Sequence, residues 1–219
     1  MSKYDNIFMF KGGIVRMNKK IILLFLTLIV LTFASATSTL AVEFSDLSKD
    51  HWAYENITTL ANKGVINGYP DGTYLPENSV TRGEFLKLIL TASVGNKAFE
   101  SNSNSSEHWA MKYASYAEEN DLLMMGTSTD NLDDGISRLE MAVILARVSL
   151  VKGFDEYDTS ARTDFSDIAD LPNGGDVYIK YVASLGLLNG YPDGTFGPNK
   201  TMTRAEVATV ISRFLQKDK

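Results

Sequence analysis

Three short motifs that combine a hydroxyl, an arginine and a glutamate are the residues of this chain best suited to chemistry. They are Thr81-Arg82-Gly83-Glu84, Ser137-Arg138-Leu139-Glu140 and Thr203-Arg204-Ala205-Glu206. A Thr or Ser followed three residues later by Glu is typical of a capping box, in which the hydroxyl accepts a hydrogen bond from the third helical amide and the glutamate binds the amide of the cap residue. Each motif therefore predicts a helix that begins at its arginine.

Capping does not explain the arginine of each motif. A cation at the first helical position faces the positive end of the helix dipole, which disfavours it by about 0.3 to 1 kcal/mol. Arg82, Arg138 and Arg204 nevertheless occupy that position in all three motifs. Free helix amides and a guanidinium together can bind a carboxylate, the guanidinium through two parallel hydrogen bonds. We therefore expect the three arginines to bind an anion.

A structural role for the arginines stays open as an alternative. In that interpretation each guanidinium pairs with an acidic residue of a neighbouring repeat instead of a ligand. Candidate acidic partners are Asp46, Asp71, Asp167 and Asp193.

Longer copies of sequence show that the motifs belong to repeats. The segment Asn67-Gly68-Tyr69-Pro70-Asp71-Gly72-Thr73 recurs at 189–195, and the same shift of 122 residues carries Arg82 onto Arg204. A weaker copy lies between them, because His51-Trp52-Ala53 reappears as His108-Trp109-Ala110. The chain is predicted to hold three units of about sixty residues.

The helices that must position the arginines follow from apolar periodicity. After each arginine, apolar residues recur at i, i+3, i+4 and i+7, which is one face of a helix. These residues are Phe85, Leu88, Ile89 and Ala92, then Met141, Ile144, Leu145 and Val148, then Val207, Val210, Ile211 and Phe214. Because no helix can bury such a face alone, we predict a mainly all-α fold, with pseudo-threefold helix-loop-helix repeats around a central three-helix bundle. Gly64 and Gly186 are expected to end the shorter helices with positive φ.

The domain boundaries follow from the repeats and from composition. Two lysines, a short apolar run and small residues near the N-terminus are typical of a secretory signal, with cleavage after Ala36 or Ala41 and Met17 as the expected true start. The predicted organisation is a signal peptide at 1–41, repeat 1 at 42–94, a linker at 95–106, a divergent repeat 2 at 107–151, a linker at 152–164 and repeat 3 at 165–219.

Composition limits the classes of partner and of chemistry. The net charge is −6 without a basic stretch, which argues against nucleic acid, and against a membrane surface once the signal is removed. With no cysteine there is no disulfide framework and no thiolate metal site. His51 and His108 occupy one equivalent repeat position and lack a nucleophile partner, so we expect no catalytic residues, no metal site, no cofactor and no enzyme activity.

The ordered set of motifs resembles the S-layer homology family. The first unit, from Phe44-Ser45-Asp46 through Glu84, is similar to one complete repeat of that family, and the third, from Phe165-Ser166-Asp167 through Glu206, is similar to another. The resemblance covers residues 44–215. It implies a three-helix spindle that holds a secreted protein non-covalently on the bacterial cell wall or S-layer. The ligand it implies is a secondary cell wall polysaccharide whose terminal sugar carries a pyruvate ketal.

Carried onto this chain, the resemblance implies grooves between adjacent repeats. In these grooves an arginine meets the pyruvyl carboxylate, and the Asn-Gly-Tyr loops contact the sugar. The implied ligand-binding residues are Arg82, Arg138, Arg204, Asn67, Gly68, Tyr69, Asn189, Gly190, Tyr191, Trp52, Trp109, Asp71 and Asp193. Two alternatives stay open: the tryptophans could be core anchors, and the two aspartates could be structural turn residues.

Departures from the pattern predict that the grooves differ. Gly174 replaces the expected Trp of repeat 3, and repeat 2 has 124–129 in place of the Asn-Gly-Tyr-Pro-Asp-Gly loop. We expect one or two functional grooves, with the corner that uses the loop of repeat 2 the poorest. The alternative function is a scaffolding protein associated with the S-layer, whose arginines bind an acidic segment of another cell-surface protein.

Overall fold

A computed structural model of the protein describes residues 9–10, 13–14, 42–99, 107–124, 129–155 and 163–218. Two compact units are present, one from Met1 to Ala41 and one from Val42 to Lys219. In the first, strands β1 (Met9–Phe10) and β2 (Gly13–Ile14) pair antiparallel. The predicted signal peptide otherwise lies outside the described residues. Among the described helices, none has both the length and the apolar character that a membrane span requires.

The second unit is built from helices, so the mainly all-α prediction is confirmed. The helices are α1 (Tyr54–Asn62), α2 (Arg82–Val94), α3 (Met111–Glu119), α4 (Arg138–Val151), α5 (Gly175–Ser184) and α6 (Arg204–Lys217), with 3-10 turns at Asn96–Phe99 and Pro172–Gly174. Within its described part, the only extended pairings are three isolated bridges. They join Ser79 to Thr203, Thr81 to Gly135 and Ser137 to Thr201.

The long helices begin where the motifs predict. In the first, the amide of Glu84 donates to Thr81 Oγ1 over 3.2 Å, and the Thr81 amide donates to Glu84 Oε2 over 2.9 Å. The same reciprocal bonds form at Ser137 with Glu140 and at Thr203 with Glu206. All three capping boxes are therefore formed, and each arginine is the first helical residue.

Packing between the repeats is cyclic. Helix α2 packs against α3, α4 against α5 and α6 against α1, so the long helix of each repeat lies on the short helix of the next. Helix α2 also contacts α4 and α6. The predicted apolar faces are buried in this core except for Leu88 and Ala92, which are half-buried. The exact pseudo-threefold symmetry stays a prediction.

The turns that follow the short helices set the loop geometry. Gly64 and Gly186 have φ of 68° and 69°, as expected for helix ends. At the equivalent place in repeat 2, Asp121 adopts a φ of 55°. Phe99 lies within the segment predicted as a linker, yet its ring is buried 4.6 Å from the ring of Tyr113. Part of that linker therefore belongs to the core.

Candidate functional site

The amides at the start of each long helix are already hydrogen-bonded. The Arg204 amide donates to the Asn78 carbonyl over 2.8 Å, and the Ala205 amide donates to the Pro76 carbonyl over 2.9 Å. The first two amides of α2 donate in the same way to the loop of repeat 2, and those of α4 to the loop of repeat 3. The expectation that these amides are free to bind an anion is wrong, because the next repeat supplies carbonyl acceptors.

Arg82 is held by the neighbouring repeat. Its Nε and Nη2 donate to Glu140 Oε1 over 3.0 and 2.9 Å, and its Nη1 donates to the Asn131 carbonyl. Both charged side chains are largely buried, with 13% and 14% of their surfaces exposed. The ion pair makes Arg82 a cross-link between repeats 1 and 2.

Arg138 is the most buried of the three arginines, with 4% of its surface exposed. Its Nε donates to the Phe196 carbonyl over 2.8 Å and its Nη2 to the Asn189 carbonyl over 2.7 Å. The guanidinium lies 4.5 Å from the ring centre of Phe196 and 5.0 Å from that of Tyr191. Burial lowers the pKa of Arg138, and the nearby Tyr191, Glu206 and Asp167 act in the opposite direction.

Arg204 has the loosest terminal bonds. Its Nε donates to the Tyr74 carbonyl over 2.8 Å, but its Nη1 lies 3.4 Å from Glu84 Oε1 and its Nη2 3.3 Å from the Asn67 carbonyl. The guanidinium stacks 5.0 Å from the ring centre of Tyr69 and 4.6 Å from that of Tyr74. Of the three guanidiniums, this one would lose the weakest internal hydrogen bonds if it turned to an external acceptor.

A cleft opens beside Arg204, and we call it the Arg204 cleft. Its volume is about 270 Å³. It is lined by Val65, Ile66, Asn67, Gly68, Tyr69, Tyr74, Val80, Glu84, Lys87, Leu88, Trp109 and Arg204. Five predicted site residues meet here, supplied by the loop of repeat 1, the long helix of repeat 3 and the Trp of repeat 2. Trp52 does not line this cleft.

The two tryptophans are surface residues. Trp52 is 61% exposed and Trp109 49% exposed, so the alternative that they are core anchors is wrong. Each ring lies beside the preceding histidine, with ring centres 5.6 Å apart. An exposed aromatic face next to a cleft is suited to packing on the apolar side of a sugar ring.

The histidines next to the tryptophans have a structural role. His51 Nδ1 accepts a hydrogen bond from the Ala53 amide over 3.1 Å, and its Nε2 lies 3.1 Å from Glu77. His108 repeats this arrangement with Ala110 and Asp133. Each imidazole therefore binds an amide at the start of a short helix.

The loop glycines are required by close packing. A Cβ on Gly68 would lie 2.4 Å from Phe44 Cε1 and 2.5 Å from the Thr73 carbonyl oxygen. Gly190 stands in the same relation to Phe165 and Thr195. Only glycine lets these loops approach the phenylalanine ring so closely. Packing therefore explains the two glycines without any ligand contact.

The loop aspartates stabilise the turns. Asp71 Oδ1 accepts hydrogen bonds from the Thr73 amide over 2.9 Å and from its hydroxyl over 2.7 Å, which lowers the Asp71 pKa. Asp193 makes the same two bonds with Thr195.

The aspartates of the Phe-Ser-Asp motifs also serve the loops. Asp46 accepts from the amides of Tyr74 and Leu75, and Asp167 from those of Phe196 and Gly197. The acidic partners found for Arg82 and Arg204 are the capping glutamates, not any of the four aspartates that the sequence suggested.

The loop of repeat 3 presents a more crowded surface than that of repeat 1. Lys200 Nζ lies 4.1 Å from the ring centre of Tyr191, on whose ring Arg138 also stacks. Tyr191 is half-buried, whereas Tyr69 is 39% exposed. Asn189, like Asn67, offers its carbonyl to the arginine of the preceding repeat. The two loops thus share one hydrogen-bonded framework, but the tyrosine of repeat 1 is more exposed to solvent than that of repeat 3.

Lys87 is a cleft residue that sequence reasoning missed. It lines the Arg204 cleft, and its Nζ lies 5.9 Å from the ring centre of Trp109. The positions equivalent to it in repeats 2 and 3 are Val143 and Thr209. That difference between the repeats is visible in the sequence and could have identified it. Across the described ranges, no three acidic or histidine side chains are grouped to hold a metal ion.

The repeated motifs and the cyclic helical framework define a protein built from repeats of one family. Residues 43–86 and 164–208 are S-layer homology domains, matching the model of that family, so the family predicted from the sequence is confirmed. The two matched segments coincide with the first and third repeats. The middle repeat shares their capping box and their packing on the neighbouring repeat.

Similar proteins come from several bacteria. The chain is 31% identical to the cellulosome-anchoring protein of Acetivibrio thermocellus, over 69% of this chain and 35% of that protein. It is 30% identical to the S-layer protein EA1 of Bacillus anthracis, over 77% of this chain and 20% of that protein. It is 29% identical to the exoglucanase XynX of Acetivibrio thermocellus, over 81% of this chain and 16% of that protein. The chain thus spans about a third or less of the length of these relatives.

Proposed function

We propose that this protein anchors non-covalently to the bacterial cell wall by binding pyruvylated secondary cell wall polysaccharide, with the Arg204 cleft as its principal site. The observation that carries the proposal is the meeting of an arginine, an Asn-Gly-Tyr loop and an exposed tryptophan from three different repeats in one cleft. The S-layer homology domains and the similarity to a cellulosome-anchoring protein support a role at the cell surface. In this proposal the protein is secreted, lies at the cell wall or S-layer, and has no catalytic activity of its own.

The walls of the cleft suit an acidic saccharide. Tyr69 and Trp109 offer aromatic faces for a sugar ring, and Asn67 and Gly68 offer polar loop groups for its hydroxyls. Arg204 and Lys87 carry positive charge, and Glu84 carries the one negative charge among the lining residues. A ligand carboxylate would be attracted to this cleft although the whole chain has a net charge of −6.

The other two arginine corners are proposed as weaker sites. The Arg138 corner combines Asn189, Gly190 and Tyr191 in the same framework, and Trp52 holds the repeat position equivalent to Trp109. Its guanidinium is more deeply buried and more tightly bonded than that of Arg204. At the Arg82 corner the guanidinium is neutralised by Glu140, and Gly174 stands where a Trp would be needed.

Purified cell walls test this proposal. A chain of residues 42–219 should sediment with walls that carry pyruvate and remain in solution after the pyruvate is removed by mild acid. The same chain with Trp109→Ala should lose sedimentation with the pyruvate-bearing walls, while its helical core stays intact because that side chain is exposed. Equal sedimentation with both kinds of wall would contradict the proposal. Binding abolished by protease treatment of the walls would favour the alternative of an acidic protein partner.

A further inference from the structure

Among the residues that the structure describes, Lys87 is the cation of the Arg204 cleft without an acidic partner. It lies on α2 one turn after Glu84 and lines the cleft. Arg204 in contrast pairs with Glu84. Over the ranges that the structure describes, the close pairs with carboxylates involve two histidines and four Lys or Arg residues, and Lys87 is not among them. The charges of Arg204 and Glu84 balance, so the net positive charge of the cleft resides on Lys87.

Each guanidinium nitrogen of Arg204 already has an internal acceptor, and two of its five N–H donors are left over. Its Nε, Nη1 and Nη2 each have an internal acceptor, namely Tyr74, Glu84 and Asn67. A carboxylate that binds Arg204 would lie close to Glu84, whose Oε1 is 3.4 Å from Nη1. Like charges at short distance oppose each other. Among the described residues, a carboxylate that binds Lys87 breaks no ion pair.

The position of Lys87 fits a ligand that also contacts the aromatic walls. Its Nζ lies 5.9 Å from the ring centre of Trp109, close enough for an acidic substituent of a sugar stacked on that ring to reach it. A lysine ammonium is a compact point charge with three rotatable donors, so it can follow a carboxylate whose direction is not fixed by the protein.

We infer that Lys87 is the residue that contacts the ligand carboxylate in the Arg204 cleft, and that Arg204 is a positioning residue that holds the Asn-Gly-Tyr loop of repeat 1. The inference rests on the proposed function and identifies the recognition group within it. The ligand class is a saccharide with one carboxylate close to a ring that stacks on Trp109. Val143 and Thr209 hold the equivalent positions in the other repeats, so the other two corners lack this particular contact.

Titration calorimetry on the full chain tests the inference. The probes are a methyl hexopyranoside bearing a pyruvate ketal across two of its hydroxyls and the same hexoside without the ketal. Lys87→Gln should weaken binding of the ketal by about tenfold to a hundredfold, as expected for loss of a charge-assisted hydrogen bond. It should leave binding of the plain hexoside unchanged, and Lys87→Arg should restore most of the affinity for the ketal. Lys63→Gln, at an exposed lysine outside the cleft, is the matched control and should bind as the parent does.

The outcomes of this titration separate failure of the inference from failure of the proposed function. Equal weakening of both hexosides by Lys87→Gln would overturn the inference, because the lysine would then support the cleft without touching the carboxylate. The same holds if Lys87→Gln binds normally while Arg204→Gln loses the preference for the ketal, a result that leaves the proposed function standing. If the parent chain itself does not distinguish the two hexosides, the proposed function fails, and the inference fails with it.

Discussion

Each capping glutamate of the first two repeats serves two repeats at once. Glu84 binds its own helix start through Oε2 and Arg204 through Oε1, and Glu140 does the same for its own cap and Arg82. This explains how an arginine is tolerated at the positive end of a helix dipole. The unfavourable dipole contact is offset by a carboxylate and by carbonyl acceptors from the next repeat.

The Arg82 pair predicts a stability effect at the residue scale. Arg82→Ala leaves the largely buried Glu140 without its cation, so we expect the free energy of unfolding to fall by about 2 to 4 kcal/mol. Urea unfolding measures this value. Lys180→Ala, which breaks the more exposed pair with Asp176, should cost about 0.5 kcal/mol or less. An equal loss in the free energy of unfolding for the two substitutions would show that Arg82 does not cross-link the repeats.

Tyr74 predicts a pH dependence. Burial raises its pKa to about 12. The unfolded tyrosine loses its proton near pH 10, so between pH 10 and 12 the folded state binds more protons and the free energy of unfolding falls as pH rises. The loss reaches about 3 kcal/mol across that window. Tyr74→Phe should remove this part of the slope, and Phe196 at the equivalent position shows that a phenyl ring fits there. Urea midpoints at pH 8, 10 and 11.5 measure the difference, and identical slopes for both chains would refute it.

At the scale of the element, local features were predictable and contacts between repeats were not. The helix starts, the capping boxes and the positive φ of Gly64 depend on residues within one turn, so sequence pattern suffices for them. The partners of Arg82 and of the first amides of α2 and α4 lie about fifty to sixty positions away, and those of the first α6 amides lie more than a hundred positions away. Those contacts exist only after the repeats close on one another.

The same limit explains the residues that were missed or misjudged. In the sequence nothing separates Lys87 from other surface lysines, because its neighbour Trp109 belongs to repeat 2 and reaches it only in the folded protein. Phe99 falls in a polar stretch, yet its ring packs on α3. The tryptophans were open to a core interpretation because residue type alone favours burial, whereas their position at the start of a short helix leaves them exposed.

Asp121 predicts a stabilising substitution at the end of α3. It holds a φ of 55°, a conformation that disfavours residues with a Cβ, while the other two repeats use glycine there. Asp121→Gly should raise the free energy of unfolding by about 1 kcal/mol, measured by thermal or urea unfolding. Gly186→Ala is the reciprocal change and should lower it by a similar amount. A lower stability for Asp121→Gly would mean that the aspartate side chain makes a contact worth more than the strain.

At the scale of the whole molecule, the Arg204 cleft exists because three repeats close into a ring. Its loop comes from repeat 1, its tryptophan from repeat 2 and its guanidinium from repeat 3. No single repeat holds these groups, so the proposed recognition depends on the complete set. The divergence of repeat 2 and the replacement of Lys87 by Val143 and Thr209 at the equivalent positions leave the three corners unequal.

The most direct measurement follows the indole N–H of Trp109 by nuclear magnetic resonance. The chain has two tryptophans, so Trp52→Phe leaves a single indole signal at the cleft. Addition of the hexoside that carries the pyruvate ketal should shift this signal in a saturable way, with a much smaller shift from the hexoside that lacks the ketal. An indole signal that stays in place while the same chain binds pyruvylated cell walls would contradict the assignment of the Arg204 cleft as the binding site.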